Sequence, residues 1–275
     1  MANLASDTEV QRAGGNGFTA ELQSDWHLLV PNGGYLAAVT LRAAQQLCGL
    51  ARPVSVSCQF LAPARFGRVE IKGEILRETA RASALRLSMT QGEEHLLEAL
   101  VWAAPEDNGK AAQWREMPEV AHADRFRDLR DQLVQAHAWV PRWHNCVNLR
   151  VASPQGSPPE LTWAKFRPVP TFADTWLDAC RSLILADSLQ WPAIREGLPK
   201  PERTLALTVH LAVDFHATAC DSAWLLAETR GSAVAQEFAS GVSTIWSEDG
   251  RMLASGLQQM LLHELSRPAA FSRER

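Results

Sequence analysis

Pro31-Asn32-Gly33-Gly34-Tyr35 opens an apolar run from Leu36 to Cys48, and the reading of this stretch decides the fold. Asn32 suits a helix cap and Gly49 a helix stop. A second apolar run, Thr175 to Gln190, holds a lone carboxylate, Asp187, among Leu183, Ile184, Leu185 and Ala186. The first run has a glycine-rich entrance and no acid inside it. The second has the acid and no glycines at its entrance. A helix N-terminus can stabilise an oxyanion and a buried carboxylate can activate water, so the two runs read as halves of one active site.

Working outward, both runs sit in the same order of elements. Strand-like text from Gly17 to Leu29 precedes the first helix. After Pro53, Val54, Val56, Cys58 and Phe60 alternate with Ser55, Ser57 and Gln59, the period of a half-buried strand. Strands are expected at Gly67 to Leu76, Ala82 to Thr90 and His95 to Trp102, with Gly92 in a turn. Polar, proline-flanked text from Pro105 to Pro118 reads as a linker, and Ala123 to His137 as a surface helix. The pattern then returns. Strands are expected at Asn145 to Val151 and Leu161 to Phe166, around a loop from Pro154 to Pro159. The second helix follows, stopped by Trp191-Pro192. Four more strands complete it: Leu205 to Val213, Ala223 to Arg230, Ala235 to Trp246, and Met252 to His263. Glu248-Asp249-Gly250 is the turn matching Gln91-Gly92-Glu93. The class is α+β, a duplicated unit in which a long helix packs on an antiparallel sheet. The expected boundaries are 1–110, a linker with its surface helix at 111–140, 141–268, and a loose tail at 269–275. Asn32 is matched to Asp178, which puts Leu41 where the second half has Asp187.

Composition bounds the partners. The chain has 275 residues, 46% of them hydrophobic, a formal net charge of −4, and 27 Lys+Arg spread along its length. No basic run suggests nucleic acid or an anionic membrane. The five cysteines (48, 58, 146, 180 and 220) are scattered and form no C-x-x-C, so they read as reduced thiols of a cytoplasmic protein. Met1 to Asn16 lacks an apolar signal core, and no segment reaches the roughly 18 residues needed to span a bilayer. No G-x-S-x-G, Walker or Rossmann glycine pattern is present.

Four stretches together resemble the double-hotdog acyl-CoA thioesterases of the acyl-CoA thioesterase II type. They are Pro31 to Ala38, Ser57 to Pro63, Leu185 to Ser188 with Pro192, and Trp246 to Gln258. The resemblance spans about residues 15 to 265 and implies a tandem hotdog, each half a long central helix wrapped by an antiparallel sheet. It also implies hydrolysis of acyl-CoA to fatty acid and CoA, with no cofactor. The family's Asp, Thr and Gln, which orient the attacking water, fall on Asp187, Thr208 and Gln258, with Thr204 as the alternative hydroxyl. The family pattern around the Thr is incomplete, since Thr208-Val209-His210 lacks the Asp-His-Ser portion. The entrance carries Gly-Gly-Tyr where better-known members have Gly-Gly-Gln.

These residue types suit thioester hydrolysis. A buried carboxylate has its pKa raised toward a useful base range, and neutral Thr and Gln can fix it or a water without cancelling its charge. Asn32, Gly33, Gly34 and Tyr35 are the expected substrate and oxyanion site, with backbone N–H groups near Gly34 and Tyr35 as donors. Whether Asp187 acts as general base or nucleophile stays open at this level. So do a hotdog enoyl-CoA hydratase or dehydratase, and a non-catalytic acyl- or lipid-binding protein. His210, Asp214 and His216 share strand parity and read as solvent-facing residues; no metal is expected. A homodimer is expected from apolar surface and sheet edges.

Overall fold

The computed structural model describes residues 3–106, 112–154 and 160–265. The expected tail from 269 lies outside these residues, as does most of the loop from Pro154 to Pro159. In chain order the elements are α1 (Leu4–Asp7), β1 (Gln11–Gly14), β2 (Gly17–Leu22), α2 (Gly33–Leu47), β3 (Arg52–Phe60), β4 (Gly67–Glu78), β5 (Ser83–Gln91) and β6 (Glu94–Ala104). The second half has α3 (Leu129–Gln135), β7 (Val147–Val151), β8 (Leu161–Phe166), α4 (Thr175–Ser188), α5 (Gln190–Arg195), β9 (Thr204–Phe215), β10 (Leu225–Ala235), β11 (Phe238–Ser247) and β12 (Met252–Glu264).

The strands form one 12-stranded antiparallel sheet in the order β1-β2-β4-β5-β6-β3-β9-β12-β11-β10-β8-β7. The order reads alike outward from its middle, the mark of a duplicated unit. The halves fuse where β3 pairs with β9, Val56 opposite Val213 and Cys58 opposite Leu211. Each half wraps its own helix, α2 or α4, which is the tandem hotdog expected from the sequence.

The two helices pack against each other antiparallel. Small residues permit the approach: Cys180 Sγ lies 3.8 Å from the Ala38 carbonyl oxygen. A Cβ on Gly34 would stand 2.8 Å from Ile184 Cα, so only glycine fits there. At the far end Asp174 caps α4 through the Trp176 and Leu177 N–H groups. The same carboxylate takes hydrogen bonds from Arg42 Nη1 at 3.0 Å and Gln45 Nε2 at 2.9 Å. A polar clasp therefore ties the helices together at this end.

Several sequence expectations change. The surface helix shrinks to α3, because Asp128 caps a new start through the Arg130 N–H after a 3₁₀ turn at Ala123–Arg125. Trp191-Pro192 does not stop the helical path. Pro192 falls in the first turn of α5, where a missing N–H costs no helix bond. A bulge between Pro53 and Ser55 breaks the simple alternation of β3, leaving Val56 and Cys58 buried and Val54 only half-buried. The strand expected to reach Leu29 ends at Leu22, before a 3₁₀ turn at Ser24–Trp26. Asp178 is not the counterpart of Asn32. It lies inside α4, bound to buried Arg181 and accepting from the Ala219 N–H. The caps are Asn32 and Asp174, which puts Asp187 level with Gln45 and not with Leu41.

Candidate active site

Asp187 sits in the last turn of α4, 5% exposed, against the first turn of α2. Its Oδ2 accepts from the Gly34 N–H at 2.7 Å. Its Oδ1 accepts from Thr208 Oγ1 at 2.9 Å and Gln258 Nε2 at 2.7 Å. Gln258 Nε2 also reaches Thr208 Oγ1 at 2.7 Å, closing a triangle of three side chains. Burial pushes the Asp187 carboxyl above the usual carboxylate range, and the three hydrogen bonds pull it only part of the way back. Buried Gln258 Oε1 has no protein partner. The sequence-derived Asp, Thr and Gln thus meet in one place, although they come from α4, β9 and β12.

Thr208 reaches Asp187 because β9 is irregular. Opposite β12, Gln259 pairs with His210 and Met260 with Thr208, so Val209 is an extra residue. Leu211 and Val213 face inward; without the bulge Thr208 would share the outward parity of His210. Thr204 lines the same cavity but donates to the Lys200 carbonyl and does not bond Asp187. His210 lies 3.3 Å from Ser57 Oγ, and His216 is 2.9 Å from Ser255 Oγ. Among the described residues, no group of three or more His, Cys, Asp or Glu is placed to hold a metal ion.

The helix entrance corrects the expected donors. The Gly34 N–H is occupied by Asp187, and the Tyr35 N–H by Asn32 Oδ1 at 2.9 Å. Tyr35 leaves the site altogether: its fully buried ring stacks on Trp26, with centroids 5.1 Å apart. Its hydroxyl donates to the Asp7 carbonyl and accepts from the Gln23 N–H. Gly33 is the residue of the pair that lines the cavity; a Cβ there would lie 3.2 Å from both Asp187 carboxylate oxygens. Asn32 also bonds Ser188 Oγ at 2.8 Å, a contact between halves that sequence reading missed. Its only signal was a hydroxyl one residue after Asp187.

Asp187, Thr208, Gln258, Asn32 and Gly33 border a cavity of about 560 Å³, a volume suited to a small-molecule ligand. Its walls are mostly apolar and come from both halves, with Leu36 and Phe60 from the first and Leu149 and Met260 from the second. A second depression, at Asp131, Asn148 and Arg150 beside α3, includes none of these site residues.

The acyl-CoA thioesterase N-terminal domain family matches residues 22–104, and the acyl-CoA thioesterase C-terminal domain family matches residues 98–262. The chain belongs to the acyl-CoA thioesterase family and is a thioesterase of that kind. Similar solved structures include acyl-CoA thioesterase II TesB2 from Mycobacterium marinum, at 16% identity and TM-score 0.79, covering 96% of this chain and 99% of that one. A tesB protein from Mycobacterium avium subspecies paratuberculosis is similar at 22% identity and TM-score 0.76, covering 94% and 98%. The dehydratase domain of RzxB from Pseudomonas fluorescens shares the architecture more distantly, at 13% identity and TM-score 0.53, over 90% and 93%. At these identities the structures speak to fold alone. No curated protein matches the chain. Among the described residues, no helix is long and apolar enough to cross a membrane.

Proposed function

We propose that the chain hydrolyses acyl-CoA to a fatty acid and CoA, with Asp187, Thr208 and Gln258 holding the attacking water. The observation that carries this reading is the buried carboxylate with three donors at the border of an apolar cavity. Burial raises its proton affinity, so it can take the proton of a water as that water attacks the thioester carbonyl carbon. The forming C–O bond pushes charge onto the carbonyl oxygen. With the Gly34 and Tyr35 N–H groups already bonded, the Gly33 N–H at the helix tip is the proposed oxyanion donor. Collapse of the tetrahedral intermediate breaks the C–S bond, and the thiolate takes up the proton held by Asp187. General base action is favoured over direct attack because both carboxylate oxygens are tied by hydrogen bonds. A dehydratase of this fold would want an imidazole paired with the acid, and no described histidine bonds Asp187.

This reading places the protein in lipid metabolism. The five unpaired cysteines favour the reducing cytoplasm. A homodimer is supported by half-exposed Leu100, Leu257 and Val242, which register carries along one line across the outer sheet face through Ser57 and Ala212. A thiol-release assay across acyl-CoA chain lengths tests the activity. Release that depends on Asp187 supports the assignment; equal release by Asp187→Asn rejects it. Sedimentation as a monomer would reject the dimer.

A further inference from the structure

Beside the Asp187 triangle, but off the cavity, a further buried amide lies where α5 packs on β11. Gln190 is the first residue of α5 and follows Asp187 by three positions. Leu189 between the two helices keeps a right-handed helical backbone, so Gln190 comes one turn after Asp187 on the same face. Gln190 is fully buried, and neither its Oε1 nor its Nε2 has a partner. Unlike Asp187 and Gln258, it does not border the cavity. Its Oε1 lies 2.5 Å from the point where Gly241 would carry a Cβ. Gly241 stands directly opposite Gln258 in the pairing of β11 with β12. Side chains so paired have Cβ atoms about 4.5–5.5 Å apart. The Gln190 amide therefore takes the place of a side chain immediately beside Gln258. Gln258 in turn spends its Nε2 on Asp187 and Thr208, while its Oε1 is buried and unpartnered.

We propose that Gln190 is a positioning residue for the hydrolysis: its Nε2 donates to Gln258 Oε1 and so keeps Gln258 Nε2 turned to Asp187 and Thr208. The oxygen and nitrogen of a primary amide sit on opposite branches of one planar group, so a hold on the oxygen fixes where the nitrogen points. The terminal torsion of a glutamine is broad, and a turn of the Gln190 amide about it closes the pair. Each amide supplies what the other lacks, an N–H for an orphaned oxygen, and buried groups of this kind are costly to leave unpaired. Gly241 lets the two amides meet, because any side chain there would occupy the position of the Gln190 amide. The inference rests on the thioesterase reading for what Gln258 does. It deepens that reading by extending the machinery to a residue outside the cavity lining.

The test is a double-mutant cycle on kcat, built from Gln190→Met, Gln258→Ala and the two combined. Methionine keeps the reach of the side chain and removes its N–H donors. In the parent background Gln190→Met is expected to lower kcat roughly threefold or more with KM nearly unchanged, and in the Gln258→Ala background to cause no further loss. A parent-like kcat in Gln190→Met, or the same loss in both backgrounds, would overturn the positioning role, since a packing defect acts whether or not the Gln258 amide is present. Gln190→Ala enters the same cycle if the methionine variant does not fold. Hydrolysis by the parent reports separately on the thioesterase reading. If the parent cleaves no thioester, that reading falls, and denaturant midpoints of the same four proteins decide the amide pairing. A cost of Gln190→Met that vanishes in Gln258→Ala supports the pairing, and equal costs overturn it.

Discussion

Asp187 and Gly34 stand 153 positions apart in the chain and are joined by a 2.7 Å hydrogen bond from the glycine N–H to the carboxylate. The bond links the start of one central helix to the end of the other. It exists because Gly34 has no side chain: a Cβ would lie 2.8 Å from Ile184 Cα and 3.0 Å from Asp187 Cβ. The closeness of the helices and the placement of the acid are therefore one fact.

Replacing the acid should separate activity from folding. Asp187→Asn is expected to lower kcat by roughly 10²- to 10⁴-fold, the range for loss of a general base. Circular dichroism should remain that of the parent. Hydrolysis at the parent rate would rule out the proposed water activation.

Gln258 touches both other members of the triangle, so its loss should be felt after substrate has bound. Gln258→Ala is expected to reduce kcat roughly tenfold or more, with a smaller change in KM. Steady-state kinetics that showed the reverse would assign Gln258 to binding.

The two glycines of the entrance should fail differently. Gly34→Ala forces a methyl onto the Ile184 backbone, an overpacking expected to cost about 1–3 kcal/mol and to lower Tm. A methyl at Gly33 first meets the Asp187 carboxylate, its oxygens at 3.2 Å, and no backbone atom closer, so Gly33→Ala should keep most of the stability and lose turnover. Thermal melts beside assays of the two variants check this; equal Tm losses would contradict it.

Acidity provides a further handle. The base form of Asp187 is the active one, so kcat/KM should fall as pH drops through a pKa raised by burial, with an acid limb above the usual carboxylate range. Thr208→Val removes one of the bonds that lower this pKa and should move the limb further up. Stability follows the same linkage with a definite sign. The folded protein holds this proton at pH values where the unfolded chain has released it. Stability therefore falls as pH rises from the ordinary carboxylate pKa through the raised one. Denaturant titrations across that window should show the slope in the parent and not in Asp187→Asn.

Much of this was legible in the sequence where pattern and chemistry coincided. Asn32 before a long apolar run marked the start of α2, and a lone acid among Leu183, Ile184, Leu185 and Ala186 marked Asp187. Gln258 was reached through resemblance. Thr208 was named the same way, but periodicity gives no reason for it to face inward, because the one-residue bulge at Val209 arises from pairing with β12. The donors were misplaced because sequence does not show which N–H groups a distant carboxylate or a cap has already taken.

The Asp174 clasp with Arg42 and Gln45 has its own consequence. A duplicated module offers two symmetric ends at which a helix tip could meet an acid, and here one of them is riveted shut. The proposed reaction chamber lies at the other end, and titration of turnover centres should count one per chain. Substitutions at the riveted end will register as changes in melting, while those at the open end reach turnover and, at Gly34, the helix contact as well.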